Sequence, residues 1–330
     1  MHLERRALYN LLRMNWLNDS SLIVESWQVE DYRALPLAEL FRKLREQSIP
    51  LDKLSFTAYA EKCDSPEELT GYLIGDNTAP EIEDRIYLIF FELWRRLMSE
   101  KPSPSIYCDE LDHQIYLFDQ GESTNLLALQ TSIANLLFIL DENVDAGIDP
   151  SEALQRLAAY CANDIEEFLY DFIFAQIEEE QLSYAQELLD DFNGYFKDNP
   201  WFTTLRIRLL SHSNAKSANR ILNQLIEDLS ENQDLDLNLE LLSITAEAGS
   251  HPLFQTLVKR TTSLLIQEED FQDLLSICVD YYHRLDQEHQ ENLLQNILNK
   301  RAARSLTSSF AFQDRDLIAL LEIIDFAIKK

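Results

Sequence analysis

Six glycines in 330 residues restrict this chain more than any other feature. That share is about 2%, against about 7% in average proteins. Tight turns between strands need residues that tolerate positive φ, and glycine is their usual supplier. A chain so short of it has little room for an all-β or doubly wound fold. Leu, Glu, Ala and Gln are abundant instead, and all of them favour helix. The apolar share of 46% is enough to bury a core. These numbers predict an all-α fold, long enough for one large domain or for two or three.

Hydrophobic periodicity places the helices. In the C-terminal half they are predicted near 151–162, 164–180, 183–197, 200–211, 215–230, 235–248, 251–267, 269–285, 288–304 and 314–328. The separators are short: Asn199-Pro200, His212-Ser213-Asn214, Gly249-Ser250 and Asp286-Gln287. Links this brief make consecutive helices antiparallel. The first helix of each pair begins near 164, 200, 235 and 269, and the second near 183, 215, 251 and 288. A period in the mid-thirties is the length of one helix–turn–helix unit in an α-solenoid. The same beat shows in residues 180–189, EQLSYAQELL, and 213–222, SNAKSANRIL, whose alanines Ala185 and Ala218 lie thirty-three positions apart. One hairpin cannot hide its apolar stripe alone, so several must stack.

Over roughly 150–310 the chain resembles the tetratricopeptide repeat family. Ala185 and Ala218 stand where that family's second-helix alanine falls. Pro200 stands near the end of a unit, about three positions later than in the family pattern. The family's first-helix tryptophan, glycine and tyrosine have no match around 166–176, and Phe254 replaces the next alanine. The resemblance implies a protein-binding scaffold. It carries over no peptide-clamping residue.

The N-terminal half is less periodic, with helices predicted at 2–17, 36–48, 51–62, 65–74, 79–99, 107–118 and 123–141. Pro102 and Pro104 break the chain after 80–101. The stretch 145–150, DAGIDP, offers a helix-ending glycine and a helix-starting Asp-Pro. The predicted organisation is therefore an irregular helical region over 1–148, with a sub-lobe over 1–76 closing at Gly75-Asp76-Asn77, and a hairpin-repeat domain over 149–330.

The formal charge of −30 disfavours nucleic acid and anionic membranes and favours basic partners. Cys63, Cys108, Cys161 and Cys278 form no CxxC pair and suit buried free thiols in a reducing compartment. The N-terminal segment has no uninterrupted apolar run, so no signal peptide is expected and the location is expected to be cytoplasmic. Residues 123–140 carry no charge, but Asn125, Gln130 and Asn135 and acidic flanks point to a helix buried in the fold rather than a membrane span. The first helix carries Leu3, Ala7, Leu8, Leu11, Leu12 and Trp16 on one side, with Arg5, Arg6 and Arg13 elsewhere; it is expected to pack on the acidic body.

Segment 151–200 sets Arg156 and Lys197 against twelve carboxylates. Glu178, Glu179, Glu180, Asp190 and Asp191, with Tyr195 and Trp201, are the candidate partner-binding residues, either an acidic rim for a basic partner or a solvated outer face. The dense aromatics around them, from Phe168 to Phe202, either bury on two sides or line a groove for a partner helix. A competing class is a helical-bundle enzyme or metal protein built on acidic-x-x-His pairs, of which Glu110/His113, Asp280/His283 and Asp286/His289 are the instances. No HExxH, GxSxG or phosphate-binding glycine loop occurs. The function expected is non-enzymatic binding of a protein or peptide, without cofactor, nucleic acid or membrane insertion; a homo-oligomeric assembly subunit is a third option.

Overall fold

A computed structural model describes residues 3–75, 78–121, 126–231, 233–248, 250–311 and 313–325. Among them lie seventeen α-helices, and the only β pairing is an isolated bridge between Gln267 and Ser309. The all-α expectation holds. The chain divides into two compact units, 1–169 and 170–330.

Proline and polar αL residues do much of the punctuation. Six of the nine prolines open helices at the first or second position, where the missing N–H costs nothing. This corrects the predicted start near 107: Pro104 begins a helix rather than merely ending the one before it. Ser48, Glu180 and Asp286 adopt φ near +60, +60 and +50 where glycine would usually end a helix. Each is followed by a Schellman bond, for example Gln181 N–H to Gln176 O at 2.9 Å and Gln287 N–H to Tyr282 O at 3.0 Å. Scarce glycine thus does not mean scarce helix ends.

The first unit holds α1 (Arg5–Asn18), α2 (Leu37–Glu46), α3 (Lys53–Ala60), α4 (Pro66–Leu73), α5 (Pro80–Leu97), α6 (Pro104–Asp119), α7 (Leu126–Asp145) and α8 (Pro150–Ala158). Every residue of α5 from 86 to 94 is buried, and α2 and α4 pack on it. Leu40, Phe41, Leu44, Phe56 and Leu69 share one core with α5. Asp76 and Asn77, at the predicted sub-lobe edge, lie outside the described residues. The buried Glu92 on α5 is held by Arg95 and Arg96 from its own next turn.

α1 packs on the carboxylates of the body, as expected. Its contact face is polar: Arg6 bonds Asp109 of α6 at 2.6 Å, Arg5 bonds Glu83 at 2.6 Å, and only Ala7 is fully buried, while Leu8 is exposed. Guanidinium groups lie over Tyr87 and Phe91, so the arginines supply both charge and flat apolar surface. α7 is also only half enclosed. Leu129, Ile133, Leu136 and Leu140 are buried, whereas Leu127 and Phe138 are 77% and 61% exposed. No helix among the described residues is long and apolar enough to cross a membrane.

From α9 (Ile165–Glu178) onward the helices pair: α10 (Leu182–Asp191), α11 (Pro200–Ser213), α12 (Ala215–Asp228), α13 (Leu235–Ala248), α14 (His251–Thr262), α15 (Glu268–Arg284), α16 (Glu288–Arg301) and α17 (Arg315–Ile324). α11 packs on α12, α13 on α14 and α15 on α16, while α11, α13 and α15 pack in succession. The starts of alternate helices keep the predicted beat. The fourth residue of each second helix is Ala185, Ala218 and Phe254, all buried; the alanine-to-phenylalanine change is absorbed without exposure. The beat is lost at α16, where Glu291 takes that place and is only part-buried. Two predicted helices end early. The one at 183–197 stops at Asp191 and gives way to a 3-10 turn, Phe192–Gly194, and that at 251–267 stops at Thr262.

Buried arginines pin the second unit. Arg208 pairs with Glu240 at 2.8 Å across α11 and α13. Arg260 bonds Asn238 Oδ1 at 2.6 Å and the carbonyls of Ile226 and Leu229, closing the end of α12. Arg301 meets Glu268, Asp314 and Asp316 and lies over Phe271 and Phe310.

Candidate partner-binding site

The acidic candidates sit along one helix hairpin of the second unit. Glu178 ends α9, Glu179 and Glu180 form the turn, and Asp190 and Asp191 end α10. All five are exposed. The ten residues of α10 separate the two groups by about 15 Å, since a helix rises about 1.5 Å per residue. They are therefore not one patch but the two ends of a strip. Glu187 joins them. It is exposed on α10, three and four positions before Asp190 and Asp191, so it shares a helix face with them, while Glu180 lies outside the helix in the αL turn that precedes it. Sequence reasoning missed Glu187, although this helical spacing could have shown it.

The electrostatics of this strip work against its own helices. Neither α9 nor α10 carries a basic residue in its last turn. Carboxylates at a helix C-terminus oppose the macrodipole. Among the described residues, Glu178, Glu179, Glu180 and Asp191 have no cationic partner, and Asp190 has only Arg206 at 3.5 Å. Elsewhere the arginines are consumed internally: Arg5, Arg6, Arg33, Arg96, Arg208 and Arg301 all bridge separate elements.

The aromatic candidates follow α10 in the chain, Tyr195 after the 3-10 turn and Trp201 in the first turn of α11. Tyr195 is 8% exposed and meets Phe192 edge-on at 6.2 Å, so it belongs to the interior and presents no open face. Trp201 is half-buried, edge-on to Tyr170 at 5.4 Å. Phe196 stacks on Phe202 at 3.9 Å. Most of the expected aromatic groove is thus filled by its own rings: the helices of this unit bury aromatics on two sides.

The acidic-x-x-His pairs go elsewhere. Glu110 accepts from Arg33 at 2.9 Å and from Gln114 at 2.9 Å. Burial and the nearby Arg33 push the His113 imidazole below its ordinary value. His283 is exposed and meets Glu291 at 3.0 Å, on the next helix rather than its own acidic neighbour. Asp286 is an αL helix-ending residue. Among the described residues no three His, Cys, Asp or Glu side chains gather as a metal site would require.

A further polar concentration is a small cleft of about 70 Å³ in the first unit, between α1 and α6. Burial alone would raise Asp109 there, but Arg6 and Arg33 outweigh it and hold the carboxylate well below its usual range. Asp112, raised mainly by burial, accepts the backbone N–H groups of Ala162 and Asn163 at 2.9–3.0 Å. Both carboxylates are spent on joining α1, α6 and the turn after α8. No family model, curated protein or solved structure matches this chain.

Proposed function

We propose that this chain is a non-enzymatic scaffold or adaptor, of the tetratricopeptide-like kind, that docks a basic segment of a partner protein along the α10 strip. One observation carries this: carboxylates gathered at two helix ends where they weaken the helices and meet almost no internal cation. A surface kept at a cost to stability is better explained by a ligand than by packing. The chain's four buried free thiols agree with work in a reducing cytoplasm. Exposed charges of this kind raise the encounter rate and select against acidic competitors, and they act within about 8 Å at physiological salt.

The test is fluorescence anisotropy with a labelled lysine-rich peptide and a glutamate-rich control. Charge reversal at Glu180, Glu187 and Asp191 should weaken the lysine peptide about tenfold at low salt, as several exposed pairs of about 0.2–1 kcal/mol each are replaced by repulsion. Reversal at Glu61, Glu100 and Glu231, also exposed, controls for net charge. Equal losses from the two triple variants would leave only a nonspecific acidic surface. Affinity capture with the same two variants then identifies the natural partner.

A further inference from the structure

We infer that two copies of this chain pair through the outer face of α7, with the two helices antiparallel about a two-fold axis. α7 carries a stripe on each of two opposite sides. Leu129, Ile133, Leu136 and Leu140 are buried. Half a turn away, Leu127, Thr131, Ala134 and Phe138 are all exposed, Leu127 by 77% and Phe138 by 61%. Steps of four, three and four residues hold these four on one line along the helix. Residues 126–140 carry no charge, in a chain of net charge −30. An uncharged helix that offers apolar side chains on both sides is suited to burial on both. Exposed apolar residues that fall singly need no partner, whereas an aligned set marks an interface.

Spacing and charge decide which occupant fits. Four, three, four reads the same in both directions, so the stripe complements itself when a second copy is turned end to end. Leu127 then meets Phe138 of the second copy and Thr131 meets its Ala134, each contact occurring twice. The small pair at the centre lets the backbones approach, and the large pairs close the two ends. Charge fixes the direction. Asp141, Glu142 and Asp145 form an exposed acidic turn just past the stripe. In a parallel pair the two acidic turns would lie side by side and repel. In the antiparallel pair Asp141 faces the position two residues before Leu126 of the other copy, so the two Asp141 residues stand about 25 Å apart at 1.5 Å per residue. Each acidic turn also reaches the positive end of the opposite helix dipole. An uncharged face is where two chains of net charge −30 repel least.

The experiment is sedimentation velocity of the full chain at physiological salt, in a concentration series reaching about 100 μM. A contact of one helix face on another belongs to the small class of interfaces, below about 1,200 Å² in total, so monomer should pass reversibly to dimer within this series. Phe138→Glu should weaken the dimer at least tenfold, because it sets a charge against Leu127 of the other copy. Ala134→Arg, at the exposed centre of the stripe, tests the same face if the first variant misfolds by circular dichroism. Register is read by disulfide trapping with oxidised glutathione. Leu127→Cys and Phe138→Cys chains should cross-link when mixed, and neither should cross-link with itself, since like positions lie about 16 Å apart. The four native cysteines are buried. A chain that stays monomeric throughout would overturn the pairing and leave the face to a different protein. A dimer indifferent to both single variants would place the contact elsewhere and also overturn it. A dimer that gives no mixed cross-link, or in which Leu127→Cys traps itself, would overturn the antiparallel register.

Discussion

Arg301 offers the sharpest test of how the second unit is held together. Its side chain is 1% exposed, and it faces Glu268, itself 3% exposed, through two nitrogens. It also bonds Asp314 at 2.9 Å and Asp316 at 2.8 Å, tying the start of α15 and the end of α16 to the start of α17. Removing one partner of a buried pair costs about 3–5 kcal/mol, because the other charge is left without compensation. Here the low end applies. Arg304 stands 3.5 Å from Glu268 and 3.3 Å from Asp314, and Gln272 still donates to Glu268 at 3.1 Å. Arg301→Met keeps most of the stem between Phe271 and Phe310, so the loss is mainly electrostatic. About 3 kcal/mol corresponds to a fall in Tm of about 6–12 °C for a unit of this size. Thermal denaturation followed by circular dichroism at neutral pH should show it. The double variant Glu268→Gln with Arg301→Met should recover more than half of the fall, because the stranded charge is gone. A Tm unchanged by Arg301→Met, or a double variant no better than the single, would refute the claim that this charge cluster is a structural pin.

Three further outcomes follow from the same geometry. Asp286→Gly relieves a side chain held at φ 52° and should raise stability by about 0.5–1 kcal/mol in urea titration, since only glycine adopts this region freely. Stability should fall as the solution is acidified below about pH 4.5: Glu268 and Asp109 are held below their ordinary values of 4.5 and 3.8, by Arg301 and by Arg6 with Arg33 respectively. A depressed carboxylate contributes stability above its unfolded value and loses it as pH drops toward its folded one, so Asp109→Asn should both destabilise at pH 7 and flatten this acid limb. Asp112, raised by burial, acts in the opposite sense. Finally, neutralising Glu178, Glu179 and Asp191 to their amides should raise the Tm, with about 0.3–1 kcal/mol available at each helix end; a fall instead would mean these carboxylates have internal partners.

Much of the fold was legible because helices announce themselves locally. The starts at Pro150, Pro200, Leu235, His251 and Glu288 fall within a residue of the predicted ones. What failed was governed by tertiary context. The break after Asp191 has no glycine or proline before Gly194, and the buried Phe192, Tyr195 and Phe196 keep the i, i+3, i+4 spacing of one helical stripe, so the sequence reads as a continued helix where the chain instead makes a 3-10 turn, Phe192–Gly194. The partners of α1 were hidden for a related reason. Its leucines look like a core stripe, but Asp109, more than a hundred residues later, waits in α6 for Arg6. Pairing at that sequence separation leaves no periodic trace.

The site was legible only in outline, and the reason is instructive. Acidic residues are read from sequence as a count, whereas their effect depends on which cations the fold has already used. The chain carries 28 basic residues against 58 acidic ones. Folding spends many of its arginines on bridges between helices, and so the deficit is concentrated wherever no arginine returns. The α10 strip is such a place: Glu178 to Glu180 stand at and after the end of α9, Glu187, Asp190 and Asp191 share one face of α10, and neither helix has a basic residue in its last turn. Tyr195 shows the limit in the other direction. In sequence it is one more aromatic in an acidic segment; in the fold it is buried edge-on against Phe192, and its place beside exposed carboxylates says nothing of its own accessibility.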